Sequence, residues 1–178
     1  MPSVFARRLS SSASARIPFE VPGPDQWVER LDAVLSTLEV AYAKAHEDVA
    51  GSGAYAHYAT EILALSETAA ALMPLEPDAL AIAALIRLSE ARRPARVNEA
   101  GEMVPLSDQD PRAWKRTLID DGLRFLNRAI QIDPNRPRVI QAQIHGCWCR
   151  RGSLAEPLHG RKFSCCTIGW LLNKTVSS

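Results

Sequence analysis

The chain has 178 residues, 47% of them hydrophobic, which suffices for one core with room for tails, so one domain is expected. No run approaches the ~20 apolar residues that cross a bilayer, and the N-terminus lacks the apolar stretch of a secretory signal. These features exclude a membrane role from the reading and predict a cytoplasmic protein.

The net charge of +1 hides an uneven distribution. Residues 1–16 hold three Arg and no acid, residues 17–145 hold 13 basic and 19 acidic residues, and residues 146–178 hold five basic and one acidic. An acidic centre repels a phosphate backbone, so direct nucleic-acid binding is not expected of this chain. The four cysteines, Cys147, Cys149, Cys165 and Cys166, all lie in the last 32 residues.

In chain order, residues 1–16 read as a basic, disordered leader. Residues 17–24 carry Pro18, Pro22 and Pro24 and must run extended as a linker. A helical domain is then expected over residues 25–145. Asp25 offers an N-cap, and Trp27, Val28, Leu31, Val34, Leu35, Leu38, Tyr42 and Ala45 recur at helical spacing toward Gly51. A second helix is predicted from about Ala54 to Met73, with Tyr55, Tyr58, Ile62, Leu65, Ala69 and Leu72 on one stripe and Pro74 as the stop.

Pro77-Asp78 suits the first turn of a third helix, whose apolar face is Leu80, Ala84, Leu85 and Leu88. Asn98 and Gly101 mark a turn, so a short hairpin or ordered loop is expected near residues 94–106. Asp110-Pro111 then predicts the start of a fourth helix carrying Trp114, Leu118, Ile119, Leu126 and Ile130 to Asp133. A fifth begins at Pro137 with Val139, Ile140 and Ile144.

The segment Leu72-Met73-Pro74-x-x-Pro77-x-x-Leu80 is echoed by Ile132-Asp133-Pro134-x-x-Pro137-x-x-Ile140, sixty residues later. The second copy, Ala129-Ile-Gln-Ile-Asp-Pro-Asn135, resembles the end of a tetratricopeptide repeat (TPR). The expected fold is therefore all-α, built of stacked, TPR-like helical hairpins.

No catalytic, cofactor or metal constellation emerges, and the chain is not read as an enzyme. His145, Cys147, Cys149, His159, Cys165 and Cys166 are zinc-type ligands, but neither C-x-C nor adjacent cysteines match a zinc knuckle. Asp120 and Asp121 point about 100° apart on a helix and read as solvated surface. His46 ends a helix where a cationic or polar side chain suits the dipole, and His57 has no nucleophile in a recognisable pattern. No Gly-rich phosphate loop occurs. Trp27, Trp114 and the tyrosines read as core anchors.

Ala15-Arg-Ile-Pro-Phe-Glu-Val-Pro22, followed by Trp27-Val-Glu-Arg-Leu-Asp-Ala-Val-Leu-Ser-Thr-Leu38, resembles the segment just after the DNA-binding part of certain bacterial extracytoplasmic-function (ECF) RNA polymerase sigma factors. Ala70-Ala-Leu-Met-Pro74, Glu76-Pro77, Ala91-Arg-Arg-Pro-Ala-Arg96, Leu106-x-Asp108-Gln109-Asp110 and Trp114 follow the same extension in order. The likeness spans about residues 15–144. It implies a C-terminal regulatory or interaction domain that works in transcription initiation when joined to promoter-reading domains. The implied partners are RNA polymerase core, those domains, and a regulatory protein. The family tends to Leu-Tyr-Leu-Ile-Phe-Asn-Glu-Gly-Tyr where this chain reads Leu38-Glu-Val-Ala-Tyr-Ala-Lys-Ala45. A free-standing TPR-like adaptor gripping a peptide between hairpins is the alternative.

Residues 146–178 are expected to be a non-native, frameshifted tail. In a frame read two bases later, Cys165-Cys166 must give Leu, and the shifted string is compatible with an amphipathic helix of that extension. A lost partner helix would leave Val139, Ile140 and Ile144 partly exposed.

Overall fold

The computed structural model describes residues 23, 26–47 and 54–150, apart from the side chains of residues 28 and 54–56. The leader at 1–16, most of the linker at 17–24, the Asp25 cap and residues 151–178 lie outside the described residues. Among the described residues five α-helices run in order: α1 (Trp27–Glu47), α2 (Ala54–Leu72), α3 (Pro77–Ala91), α4 (Arg116–Ile132) and α5 (Pro137–Cys149). The fold is all-α, and the successive pairs α2–α3, α3–α4 and α4–α5 pack against each other, with α5 also on α3. The chain divides into two compact units, residues 1–33 and 34–178. The first contributes the opening turns of α1; the second holds the rest.

α3 is the centre of the second unit. All fifteen of its residues are buried, including Asp78, Arg87, Ser89 and Glu90, so its apolar face is the whole circumference rather than the stripe of Leu80, Ala84, Leu85 and Leu88. A helix covered on every side needs small residues where neighbours approach and paired charges where polar groups enter. Five alanines supply the first. Burying Leu80, Ile82, Leu85, Ile86 and Leu88 contributes about 1.5–3 kcal/mol each.

α1 turns Leu35, Leu38, Tyr42 and Ala45 inward, as its periodicity predicts. Val34 is 50% exposed and Trp27 47% exposed, so neither is a core anchor. The Asn98–Gly101 turn forms as expected. Val97 and Met103 make an isolated antiparallel bridge, Gly101 takes φ 80°, and Asn98 Oδ1 accepts from the amides of Ala100 and Glu102 at 3.0 and 2.9 Å. Asp110 does cap a helix, but a single 3-10 turn over Pro111–Ala113, by accepting from Arg112 N at 2.9 Å. Trp114 then runs extended so that its ring can enter the core at 3% exposure, and α4 starts only at Arg116.

The sixty-residue echo becomes a structural repeat. α2 and α4 end at Leu72 and Ile132, and α3 and α5 start at Pro77 and Pro137. Buried positions correspond too: Ala79, Ile82, Ile86 and Ser89 of α3 match Val139, Ala142, Gly146 and Cys149 of α5. α5 thus continues past His145, through the position where the tail was expected to begin. Val139 is fully buried rather than exposed, Ile140 is half-buried, and Ile144 is 40% exposed. The Val139 expectation failed because α5 lies on both α3 and α4, which cover its inner face.

Candidate interaction surface

The sequence of α2, AYAHYATEILALSETAAAL, has acidic or basic side chains only at His57, Glu61 and Glu67. Such a helix is apolar on all sides and ordinarily becomes covered on all sides. Only one side is. The buried stripe is Ala59, Ile62, Ser66 and Ala70, which lets α2 approach α3 closely. This corrects the predicted stripe: Ile62 is buried and Ala69 half-buried, Tyr58, Leu65 and Leu72 are exposed, and the Tyr55 side chain lies outside those described. Tyr58, Leu65 and Leu72 face outward at seven-residue spacing, with exposures of 53%, 56% and 73%, and Leu75 follows at 81%. Large aliphatic side chains collected on one exposed helix face are the signature of a contact surface. His57 pairs with Glu61 at 3.1 Å on the same helix.

Beside this face lies a polar cleft of about 330 Å³ lined by Glu67 of α2, Arg87 of α3, and Asp121, Arg124, Phe125 and Arg128 of α4. Arg87 is 5% exposed. Its Nη1 donates to Ser66 Oγ at 3.3 Å and to the Ala83 carbonyl at 3.2 Å, its Nη2 donates to Glu67 Oε2 at 2.9 Å, and its guanidinium sits 4.7 Å from the centre of the Phe125 ring. Burial pulls its pKa down, while Glu67 and Asp121 oppose that shift. Asp121 pairs with Arg124, whereas Asp120 is exposed. Sequence reasoning treated both acids as plain surface and did not single out Arg87. The available signal was a single charge within the otherwise uncharged stretch 79–89, which must find partners once that stretch is buried.

A second polar network closes the other end of the bundle. Arg93 donates to the Ala45 carbonyl at 3.0 Å and to Glu90 at 2.9 Å, and Arg96 donates to the His46 carbonyl. The Arg-Arg-Pro-Ala-Arg block therefore caps the C-terminal carbonyls of α1 from outside, where cations are favoured. Tyr42 donates to Glu90 at 3.3 Å, leaving its oxygen to accept from His46 Nδ1 at 3.2 Å. His46 is held neutral, its pKa lowered to about 3 by burial and by Arg96, Arg92 and Arg93. Of the cationic or polar side chain expected at this helix end, His46 is the polar, neutral kind, and the arginines supply the positive charge.

His145 and Cys149 share a face of α5. Arg92 Nη2 donates to His145 Nδ1 at 2.8 Å, which fixes the proton on Nε2, and burial lowers this histidine to about 4. Burial pushes the Cys149 thiol up to about 11, and it donates to the Leu88 carbonyl at 3.5 Å. A guanidinium thus stands where a metal bound to His145 Nδ1 would sit. Among the described residues no three His, Cys, Asp or Glu side chains gather in a metal-holding group; His159, Cys165 and Cys166 lie outside them.

The model of a family of unknown function, DUF6596, matches residues 30–130, more than half of the chain. The chain belongs to the DUF6596 family. The matched stretch takes in most of α1, all of α2 and α3 and nearly all of α4, so the apolar α2 face and the cleft both fall within the DUF6596 region. An uncharacterized protein of Rhizobium meliloti (strain 1021) is 33% identical over 141 residues, covering 79% of this chain and 33% of that protein. The chain therefore spans about a third of that relative's length. No solved structure matches it.

Proposed function

We propose that this chain is the C-terminal interaction domain of an ECF-type RNA polymerase sigma factor, a cytoplasmic protein domain that binds partners rather than catalysing a reaction. The observation that carries the reading is the outward face of α2. Leu65 and Leu72 stand exposed on a helix otherwise built for burial, and Leu75 follows in the turn after it, as expected of a domain that docks against further protein. Two other facts support it. The blocks that resemble the sigma-factor extension include the joints of this fold, namely the Arg93–Arg96 cap, the Pro74–Pro77 turn, the buried Gln109 and the buried Trp114. The Rhizobium relative is also three times the length of its match, which leaves room for promoter-reading domains.

The test is transcription with core RNA polymerase and the full-length Rhizobium relative on fragmented genomic DNA. The proposal expects the relative to hold the core enzyme and start transcripts at discrete promoters, and this chain alone to do neither. A relative that neither binds core polymerase nor starts any transcript overturns it. The adaptor reading is favoured by the α2–α4 cleft, which offers a groove of the kind that grips a peptide.

A further inference from the structure

The geometry points to the α2–α4 cleft as a binding site for a single carboxylate group, carried by an acidic peptide segment. The inference is independent of the sigma-factor reading. The cleft presents three guanidiniums, those of Arg87, Arg124 and Arg128, against two carboxylates, those of Glu67 and Asp121. Both carboxylates are already engaged, Glu67 by Arg87 at 2.9 Å and Asp121 by Arg124. Arg128 pairs with no acid among the described residues; it donates to the Pro74 carbonyl at 3.3 Å. The lining thus has one positive charge in excess, which matches one carboxylate better than a dianionic phosphate.

The floor of the cleft is built rather than incidental. Arg87 is held by Ser66, the Ala83 carbonyl and Glu67, with Phe125 beneath its plane, and its Nε–H has no acceptor among the described residues. A guanidinium fixed in this way has lost little freedom by the time a ligand arrives, and partial desolvation strengthens any charge-assisted bond it makes. A volume of about 330 Å³ accommodates a glutamate or aspartate side chain with adjoining backbone.

The experiment titrates the folded chain with the capped peptide acetyl-Ala-Glu-Ala-amide, with its Gln counterpart, and with inorganic phosphate, reading Phe125 and arginine side-chain resonances by NMR. The Glu peptide is expected to saturate these resonances and the Gln peptide to leave them unmoved. Arg128→Gln removes the excess charge and should weaken binding by about tenfold, while Asp121→Asn doubles the excess and should tighten it. The two variants lie on the surface of α4 and move affinity in opposite directions, which a general loss of folding cannot do. Equal binding of the Gln peptide, or an affinity unchanged in both variants, overturns the site. Phosphate binding without peptide binding overturns the carboxylate assignment.

Discussion

Glu76 and Arg136 hold the same place in two copies of one turn, sixty residues apart, and they meet as an ion pair at 3.3 Å. Each is the residue before the proline that opens a helix. The next equivalent pair, Asp78 and Arg138, meets at 3.7 Å, and Arg136 also reaches Asp78 at 2.8 Å. The repeat is thus held together through acids in its first copy and arginines in its second. Arg138 extends the joint to α1, donating to Ser36 Oγ at 2.9 Å and Glu39 at 3.3 Å.

This joint predicts an unequal response to arginine and lysine loss. Arg138→Met leaves Asp78 and Glu39, both mostly buried, with less compensation, and should cost on the order of 1–3 kcal/mol. Lys44→Met, which breaks an exposed pair with Glu47, should cost less than about 0.5 kcal/mol. Urea unfolding midpoints at unchanged slope give the comparison, and equal losses would show that the joint contributes no more than a surface pair.

Helix contact distance predicts a second asymmetry. A Cβ at Gly122 would meet Leu88 Cγ at 2.9 Å and the Ala84 carbonyl at 3.3 Å, so α4 could not keep its distance from α3. Gly122→Ala should destabilise by roughly 1–3 kcal/mol despite the better helix propensity of alanine. At Gly146 the nearest atoms are the flexible ends of Leu126 and Leu123, at 2.8 and 3.4 Å. There the propensity gain of about 1 kcal/mol offsets the crowding, and Gly146→Ala should be near neutral. Thermal midpoints of the two variants check this, and the reverse order would contradict the close α3–α4 approach.

The two neutral histidines set a pH dependence. Unfolded, each binds a proton near pH 6.5; folded, His46 and His145 bind theirs only near pH 3 and 4. Between those limits the unfolded chain holds more protons, so stability falls as acid is added and is unaffected by these groups above about pH 6.5. Urea midpoints at about pH 7, 5.5 and 4.5 should decline steadily, with a shallower decline in His145→Gln. A flat profile over that range would show that these side chains are solvated.

The C-terminal end of α5 can be tested at Cys149. Its buried, high-pKa thiol should resist iodoacetamide in the native state, while half-buried Cys147 reacts faster. Peptide mapping after timed labelling measures both. Equal rates would mean that α5 unwinds near Gly146, where cysteine content and charge change in the sequence.

Much of this was legible beforehand. Helix starts at Pro77 and Pro137 and the turn at Asn98–Gly101 follow from backbone chemistry confined to a few neighbouring residues, and local rules suffice for them. Periodicity misled where tertiary contact decided the face. On α2 the larger residues looked like the core stripe, yet the close α2–α3 approach selected Ala59, Ser66 and Ala70. Trp114 promised a helix interior, but burying its ring required an extended residue. The α2–α4 cleft was not legible at all, because Arg87 and Phe125 meet only once α3 and α4 are packed.

The central proposal is that the outer face of α2 docks this domain onto the rest of a longer transcription protein. Charge placed on that face tests it most directly, since it leaves the buried stripe intact. In the full-length Rhizobium relative, glutamate is introduced at the two positions aligned with Leu65 and Leu72, and transcript initiation with core polymerase is compared with that of the unaltered protein. The account predicts that the altered protein stays folded by circular dichroism and loses most of its initiation. Full initiation by the altered protein would contradict it.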